Sequence, residues 1–355
     1  MSKFLSRRFS SLVPYTPGEQ PRDMEYVKLN TNESPFEPSP KVIEAVNSEE
    51  VKKLNLYPDP TGKALISKLA ETYGVEEENV FISNGSDDIL NFSFMAFCDK
   101  DKGAIFPEIS YGFYEVYADL YGVDYKKVPL NEDFSINITD YFGANKTVVI
   151  ANPNAPTGLA IPVAQVEEIL KANKDDIVII DEAYVDFGAE SCVALTKKYS
   201  NLIVVMTYSK SRSLAGGRLG FAIAHKDLIC DLNTIKYSTN PSNINRLTMA
   251  AGIASLDDAD YYKNCNKNTA EVREYTKTEL EKRGFTLTDS KANFLFAKSD
   301  KIGGEDYYLS LKSKGVLVRH FKNDKIKDYV RITIGTKEQM DILLAKTDEI
   351  FNGEN

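Results

Sequence analysis

Short runs of apolar residues recur between residues 80 and 224, and most are followed by a turn and by apolar positions at helical spacing. The segments predicted to be strands are 80–82, 103–106, 124–128, 147–151, 177–180, 202–206 and 221–224. The last four are short apolar runs, which are typical of strands buried on both faces of a parallel sheet. The pattern therefore predicts an α/β fold, with one mixed or mainly parallel central sheet and helices on both sides.

The two ends of the chain follow other patterns. The stretch 14–40 is rich in Pro, Asn, Glu and Ser, which predicts an extended arm, and a helix capped by Thr61 is predicted to run to residue 73. Predicted elements after residue 257 are a long charged helix (258–284), strand 293–297, helix 305–314, strands 316–319 and 329–334, and helix 337–350. We therefore expect an N-terminal arm (1–40), a large domain (41–257) and a small α+β C-terminal domain (258–355), bridged by the arm and the long helix.

Composition excludes several classes of partner. The chain has 355 residues, of which 43% are hydrophobic and 27% charged, with a net charge of −9 and no basic block. These values suit a globular protein and argue against nucleic acid or an anionic membrane surface as a partner. No apolar run has the length needed to span a bilayer. The first 18 residues faintly resemble a transit peptide, and a short arm that packs on the body or on a partner subunit is the favoured expectation.

Cysteines and histidines predict neither a disulfide framework nor a metal site. The four cysteines are scattered, without a CxxC pair, which is typical of reduced thiols in a cytoplasmic protein. His225 and His320 are the two histidines of the chain, so a histidine metal site is not expected.

One loop places a lysine where it could do chemistry. Lys210 lies between two predicted strands, beside the hydroxyls of Thr207 and Ser209 and eight residues before Arg218. A lysine amine forms a Schiff base with an aldehyde when it is positioned and can lose its proton. Hydroxyls and a planar guanidinium suit a phosphate. A lysine beside a phosphate site is what pyridoxal phosphate needs, although a basic surface turn explains the loop alone equally well.

Other candidate residues follow strands, at the edge of the sheet where ligands bind in such folds. Gly85, Ser86 and Asp87 open a helix, so their amides could bind an anion, although ordinary helix capping also explains them. Tyr111 follows the next strand and could stack on a planar ring. An ordinary core or turn tyrosine is the alternative.

A second group supplies an acid, amides and a cation. Asp181 ends a strand and could keep a pyridine nitrogen protonated, with Tyr184 donating to a ring oxygen. Asn152 and Asn154 lie in a rigid proline turn, and their amides could also donate to a ring oxygen. Arg331, within a predicted strand, either binds a carboxylate or lies on the surface. Each feature is weak alone, and their combination and order point to one cofactor.

With these residues in place, the chain resembles the fold type I pyridoxal-phosphate aminotransferases, and within them the histidinol-phosphate aminotransferase branch. The resemblance rests on residues 17–21 (PGEQP), 29–33 (LNTNE), 152–158, 181–184 (DEAY), 209–218 and 331–336. It covers nearly the whole chain and is more specific for cofactor and fold than for substrate. It implies pyridoxal 5'-phosphate as cofactor and a homodimer.

The resemblance also implies a role for each matching residue. Lys210 would bind the cofactor covalently and move protons, Asp181 would pair with its pyridine nitrogen, and Tyr184 with its ring hydroxyl. Tyr111 would stack on the ring. Its phosphate would be held by Gly85, Ser86, Asp87, Thr207, Ser209 and Arg218, and by Tyr57 of the neighbouring subunit. The substrate would be bound or covered by Asn30, Asn32, Glu33, Arg319 and Arg331.

The chain departs from the family's usual sequence in two loops. The family turn usually reads Asn-Pro-Thr-Gly, and here Ala155 replaces its asparagine. Either Asn152 or Asn154 takes over the bond to the ring oxygen, or that bond is lost. After the lysine, Ser211 and Arg212 replace apolar residues and Gly217 replaces a common leucine, so that Arg212 is expected to add positive charge near the cofactor.

The predicted function is transamination of histidinol phosphate with 2-oxoglutarate, giving imidazole acetol phosphate and glutamate in histidine biosynthesis. A threonine-phosphate decarboxylase and an aromatic amino-acid aminotransferase have the same fold and remain alternatives. A regulatory protein built on an aminotransferase scaffold is a third. The presence of Lys210, and of only a short arm before the motifs, disfavours it.

Overall fold

The computed structural model describes residues 5–9 and 11–353, so the predicted arm lies partly outside the described residues. The strands, in chain order, are β1 (Val27–Lys28), β2 (Val80–Ser83), β3 (Ala104–Pro107), β4 (Tyr125–Val128), β5 (Thr147–Ala151), β6 (Val178–Asp181), β7 (Leu202–Thr207), β8 (Gly220–Ala224), β9 (Phe285–Leu287), β10 (Phe294–Ser299), β11 (Val316–Leu317), β12 (Arg319–His320) and β13 (Tyr329–Thr333). The α-helices are α1 (Pro40–Val46), α2 (Lys63–Tyr73), α3 (Ser86–Phe97), α4 (Phe113–Tyr121), α5 (Val163–Ala172), α6 (Lys226–Thr239), α7 (Arg246–Asp257), α8 (Ala259–Lys282), α9 (Gly304–Ser313) and α10 (Lys337–Asn352).

Within the described residues, seven strands form one sheet in the order β2-β8-β7-β6-β5-β3-β4. Strand β8 runs antiparallel to both of its neighbours, and the remaining pairs are parallel. The predicted α/β fold with a mainly parallel sheet is confirmed. Asp181 pairs in register with Ala151 on one side and Val205 on the other. The residues that follow β5, β6 and β7 therefore meet at one edge, where α/β folds bind ligands.

Apolar side chains cover both faces of this sheet. All six residues of β7 are buried, because alternate side chains point to opposite faces and both faces carry helices. Leu65 of α2 and Val166 of α5 pack in the core of one face. Ile89 of α3 and Tyr114 of α4 pack in the core of the other. The edge that carries the polar residues is thereby held between two hydrophobic layers.

A second, antiparallel sheet has the order β12-β13-β10-β9, and the arm is bound to this part of the molecule. Strand β1 pairs in parallel with β11, and Leu29 is buried in the core beneath the second sheet. The single strand predicted over 316–319 is wrong. It is divided between β11, which pairs with the arm, and β12, which joins the second sheet, because a distant segment supplies the extra partner.

Two predictions at helix level also need correction. Thr61 does not cap α2, because the helix begins at Lys63 after Gly62 at φ 60°, and the Asp59 carboxylate accepts the Lys63 amide at 3.1 Å. Helices α6 and α7 were not predicted. The long charged helix is α8, two residues shorter at its C-terminal end than expected. The division of the chain at residues 40 and 257 stays a prediction.

A close contact at Gly220, the first residue of β8, gives a stability test. A Cβ there would lie 2.5 Å from both the Gly85 carbonyl carbon and the Ser86 nitrogen. We expect Gly220→Ala to lower the free energy of unfolding by about 1–3 kcal/mol, the usual range for overpacking, measured by urea denaturation. Gly216→Ala is the control, because a Cβ there meets nothing within 4 Å. Equal stability of the two variants would contradict the close packing of β8 against this loop.

Candidate active site

A cavity of about 350 Å³ opens at the carboxyl ends of β5, β6 and β7, beside the N-terminus of α3. Its lining residues are Thr31, Glu33, Ser86, Asp87, Tyr111, Ala151, Ala155, Asp181, Ala183, Tyr184, Thr207, Ser209, Lys210, Ala215, Gly216 and Arg218. Most of the residues predicted to bind the cofactor are therefore brought together. Those predicted to bind the substrate, apart from Glu33, are not among the lining residues.

Lys210 enters this cavity from the loop after β7. Its Nζ donates to the carbonyl oxygen of Thr31 at 3.3 Å and lies 6.0 Å from the centre of the Tyr184 ring. Burial, and then the positive charge of Arg331, lower the pKa of the lysine to about 8. An amine with such a pKa is partly neutral close to neutral pH, which a nucleophile or a proton carrier requires.

Asp181 is the buried acid of the site, only 5% exposed. One carboxylate oxygen accepts from the Tyr114 hydroxyl at 2.9 Å and the other from the Ala183 amide at 3.2 Å. Burial raises the pKa of Asp181 to about 6, and these two hydrogen bonds oppose the rise. A buried carboxylate held by one hydrogen bond to each oxygen can pair with a cationic ring nitrogen.

The N-terminus of α3 forms one end of the cavity. The helix begins at Ser86, and the Gly85 before it has φ 90°, a conformation that glycine adopts freely. A Cβ on Gly85 would lie 2.7 Å from Nη2 of Arg218. The loop therefore brings helix amides and a guanidinium to the same place, and both bind anions.

Hydroxyls and a carboxylate hold that guanidinium. Arg218 Nη1 donates to Ser209 Oγ at 3.4 Å, and Thr207 Oγ1 donates to Ser209 Oγ at 3.0 Å. Arg218 Nη2 donates to Asp87 Oδ2 at 2.9 Å, and Asp87 Oδ1 accepts from the Tyr111 hydroxyl at 2.7 Å. The Asp87 side chain thus orients the predicted ring-stacking tyrosine and the predicted phosphate-binding arginine together.

The two asparagines proposed to bond the ring oxygen make hydrogen bonds to other protein groups. Asn152 donates to and accepts from the backbone of Ile161, at 3.0 and 2.9 Å. Asn154 donates to the Ile109 carbonyl at 2.9 Å and accepts from Ser110 at 2.8 Å. Neither lines the cavity, so the structure does not support a ring contact from either. These hydrogen bonds favour the other alternative, that the bond to the ring oxygen is lost, because both amides hold the proline turn together.

The residues of the arm motif, 29–33, do not all have the positions that were predicted for them. Thr31 and Glu33 line the cavity, whereas Asn30 and Asn32 are each 1% exposed. The Asn30 amide donates to the Glu19 carbonyl at 2.8 Å, and the Asn32 amide donates to the Tyr184 hydroxyl at 3.0 Å. Both amides are thus used within the protein, and the direct substrate contacts predicted for them are not supported.

Arg319 and Arg331 pair across β12 and β13. Arg331 lies 5.4 Å from the Phe294 ring and 5.7 Å from the Phe321 ring, and donates to the Asn30 carbonyl at 3.2 Å. Its buried Nε has no hydrogen-bond partner among the described residues. Arg319 instead donates to two arm carbonyls, those of Thr16 and Pro17 at 3.1 and 3.2 Å. Of the two, Arg331 keeps a donor for a ligand, and Arg319 holds the arm.

Two further predictions concern side chains away from this cavity. Tyr57 is 89% exposed and does not line it. Arg212 stacks over the rings of Tyr208 and Tyr262, at 5.5 and 5.9 Å, and donates to the Ser255 carbonyl at 3.3 Å. The expected addition of positive charge beside the cofactor is not supported, because Arg212 fastens the lysine loop to α7 and α8.

Two contacts of the site were not predicted. Tyr114, which binds Asp181, lies one helical turn after Tyr111, so the spacing could have revealed it. The backbone carbonyl of Thr31 accepts a hydrogen bond from the Lys210 amine. Every residue type has this carbonyl, so the sequence gives no signal for such a contact.

Comparison with known proteins shows the family. Residues 24–346 match the model of aminotransferase class I and II. The chain is 52% identical to the histidinol-phosphate aminotransferase of Brachyspira hyodysenteriae over 352 residues, 99% of each chain. The crystal structure of the Clostridium acetobutylicum histidinol-phosphate aminotransferase aligns with TM-score 0.84 at 26% identity, covering 92% of this chain and 99% of that one.

A further solved structure shares the fold. It is the Sinorhizobium meliloti histidinol-phosphate aminotransferase in complex with pyridoxal-5'-phosphate, with TM-score 0.85 and 22% identity, covering 93% of this chain and 92% of that one. The site geometry and these matches agree, and the chain belongs to the class I and II aminotransferase family.

The described residues contain neither a candidate membrane-spanning helix nor a candidate metal site. No helix in residues 5–9 and 11–353 is long and apolar enough to cross a membrane. In the same residues, no group of three or more His, Cys, Asp or Glu side chains has the arrangement of a metal site.

The raised pKa of Asp181 predicts how the stability of the cofactor-free protein depends on pH. The ionised carboxylate destabilises the fold above its folded pKa of about 6, and this penalty disappears below its ordinary value near 4. Asp181→Asn removes the charge, so the variant should gain stability relative to the parent as pH rises from 4 to 7. The gain is at most about 3 kcal/mol, read from urea denaturation.

The control for this prediction has the opposite sign. Ion pairing with Lys291, opposed by desolvation and assisted by Lys277, lowers the pKa of Asp289. Asp289→Asn should therefore lose stability relative to the parent above pH 4 and recover it as the pH falls. Parallel stability curves for the parent and Asp181→Asn would show that the buried acid carries no such penalty.

Proposed function

We propose that this aminotransferase transfers the amino group of histidinol phosphate to 2-oxoglutarate, in histidine biosynthesis. The main support for this substrate is the 52% identity to a histidinol-phosphate aminotransferase over 99% of both chains. The geometry adds a cavity with an anion-binding end and a half-buried arginine, close enough to act on Lys210, whose buried Nε is an unused donor.

The residues of the cavity fit pyridoxal 5'-phosphate. The α3 amides, the Ser209 hydroxyl and Arg218 suit its phosphate, Asp181 suits its ring nitrogen, and Tyr111 suits its ring face. When bound, this cofactor supplies an electron sink that stabilises negative charge on the substrate carbon. The family and the site together assign it to this chain.

Lys210 is the proton carrier of the proposed reaction. Its Nζ would take a proton from the substrate Cα and deliver it to the former aldehyde carbon of the cofactor, on the other side of the transferred nitrogen, which requires a neutral amine. The pKa of about 8 keeps that form available. The Thr31 carbonyl, 3.3 Å from Nζ, orients the amine. Asp181 keeps the opposite end of the site negative, so that a protonated ring nitrogen is favoured there.

Arg331 is the proposed anchor for the substrate's anionic group. Burial lowers the pKa of this arginine, and its Nε is buried without a partner in the described part of the chain. An anion that accepts from Nε completes its hydrogen bonding, and charge-assisted bonds of this kind contribute about 1.5–3 kcal/mol. The phosphate of histidinol phosphate and the carboxylate of 2-oxoglutarate both qualify.

A homodimer belongs to the same proposal. Exposed apolar side chains cluster along 51–57, where Val51, Leu54, Leu56 and Tyr57 are 42%, 56%, 58% and 89% exposed. Tyr237, 46% exposed, donates to the carbonyl of Pro60, three residues after this segment, at 3.2 Å. Burial of this patch against a second copy would remove it from water and bring Tyr57 to the partner's phosphate site. The cytoplasmic location stays a prediction.

The substrate is tested by comparing kcat/KM for histidinol phosphate, phenylalanine and threonine phosphate, with 2-oxoglutarate as acceptor. Histidinol phosphate should lead by at least about tenfold, because loss of one good contact costs roughly 1.4 kcal/mol. Carbon dioxide is followed for threonine phosphate. A preference for phenylalanine, or release of carbon dioxide, would replace the substrate and leave the family unchanged.

The shared site is tested by mixing two inactive or weakened chains. Heterodimers of Lys210→Ala and Tyr57→Phe contain one site with Lys210 from one chain and Tyr57 from the other, both intact. Mixing after mild dissociation should raise activity above that of either variant alone. Two Lys210→Ala preparations mixed in the same way are the control. An active monomer in sedimentation, or no gain on mixing, would refute the shared site.

A further inference from the structure

Asn32 has an unusual setting in the arm. It is 1% exposed and has a φ of 55°, in the left-handed region that asparagine tolerates better than most residues. Its Nδ2 donates to the hydroxyl of Tyr184 at 3.0 Å. This contact joins the arm to a residue of the cavity lining, 152 positions away in sequence.

The second sheet fixes the orientation of the Asn32 amide. Thr333 Oγ1 accepts from the Asn32 backbone nitrogen at 2.9 Å and donates to Asn32 Oδ1 at 3.1 Å. The carbonyl of Asn32 accepts from the Asn293 amide at 3.1 Å. In this arrangement the Thr333 hydroxyl donates its proton to Oδ1, and the donating end of the Asn32 amide faces Tyr184.

This arrangement determines where the Tyr184 proton points. A phenol has one proton and accepting lone pairs, and Asn32 occupies the accepting side. No acceptor in the described part of the chain takes the Tyr184 proton, so the hydroxyl can donate into the cavity. Tyr184 packs against a cluster that contains Ala155. The Ala155 side chain has no hydrogen-bond donor to offer on this side of the cavity. The Tyr184 hydroxyl thus supplies the side-chain hydrogen bond there.

We propose that Asn32 is a positioning residue, which aims the Tyr184 hydroxyl at the ring oxygen of the cofactor and links that bond to the second sheet. The inference rests on the cofactor assigned above and is independent of the substrate. Asn32→Asp is the sharpest change, because it keeps the shape, the contact with Thr333 and the tolerance of positive φ. A carboxylate only accepts, so it would draw the Tyr184 proton away from the cavity.

The experiment is a double-mutant cycle on cofactor binding. Pyridoxal 5'-phosphate is titrated into the cofactor-free parent, Asn32→Asp, Tyr184→Phe and the double variant, and the dissociation constant and absorption spectrum are recorded at one pH. Asn32→Asp should weaken binding about three- to tenfold, the effect of one hydrogen bond, and shift the absorption maximum. In the Tyr184→Phe background the same change should have no further effect on either quantity.

Two variants guard against a purely structural effect. Asn32→Gly tolerates the positive φ, retains the backbone groups that make both backbone bonds and removes the side chain with its amide. This variant is used for the test if Asn32→Asp folds poorly by circular dichroism. Asn173→Asp is the matched control. That asparagine is 2% exposed and donates to the Tyr141 and Ile169 carbonyls, away from the cavity, so it should change stability but not the spectrum.

An equal loss of binding in the parent and the Tyr184→Phe backgrounds, or an unchanged spectrum, would overturn the positioning role. Histidinol phosphate does not enter the titration, so an incorrect substrate cannot produce either result. A parent protein that fails to bind pyridoxal 5'-phosphate would instead overturn the cofactor assignment.

Discussion

The ionisable side chains of Asp181 and Lys210 line the cavity, and Arg331 is near enough for its charge to act on Lys210; none of the three forms an ion pair with another described residue. Burial shifts all three pKa values toward the neutral form, up for the acid and down for the two bases. Such groups destabilise a fold unless something else holds them in place. They also give a charged ligand counter-charges that are already desolvated and oriented, which strengthens each contact.

The rest of the fold provides the restraint. Strands β5, β6 and β7 are buried along their whole length, and helices cover both faces of the sheet. Their carboxyl ends cannot move apart without opening two hydrophobic layers. Within this frame, Tyr114 and the Ala183 amide hold one oxygen each of Asp181, and Asp87 holds Arg218 and Tyr111. The polar site is therefore as rigid as the apolar layers around it.

The N-terminal arm contacts both the second sheet and the cavity, so both sheets contribute to the geometry of the site. Glu19 binds Tyr308 and Lys312 of α9, and Leu29 is buried in the core beneath the second sheet. The following residues reach the cavity, where Thr31 contacts Lys210 and Asn32 contacts Tyr184. The arm therefore connects the second sheet directly to Lys210 and Tyr184, by a route that does not pass through the large sheet.

The sequence by itself determined the α/β class, the run of buried strands and the cofactor-binding edge, because apolar periodicity and the residues directly after strands are local features. The tertiary structure decided matters that depend on distant partners. It divided 316–319 between two sheets, because β1 pairs with its first half. It turned Thr31 and Glu33 toward the cavity and used the amides of Asn30 and Asn32 for internal bonds. It also used the amides of Asn152 and Asn154 for hydrogen bonds that hold the proline turn, and it left the Nε of Arg331 without a partner among the described residues. A residue type states which hydrogen bonds a side chain can make, and only the packed structure settles which partner is within reach.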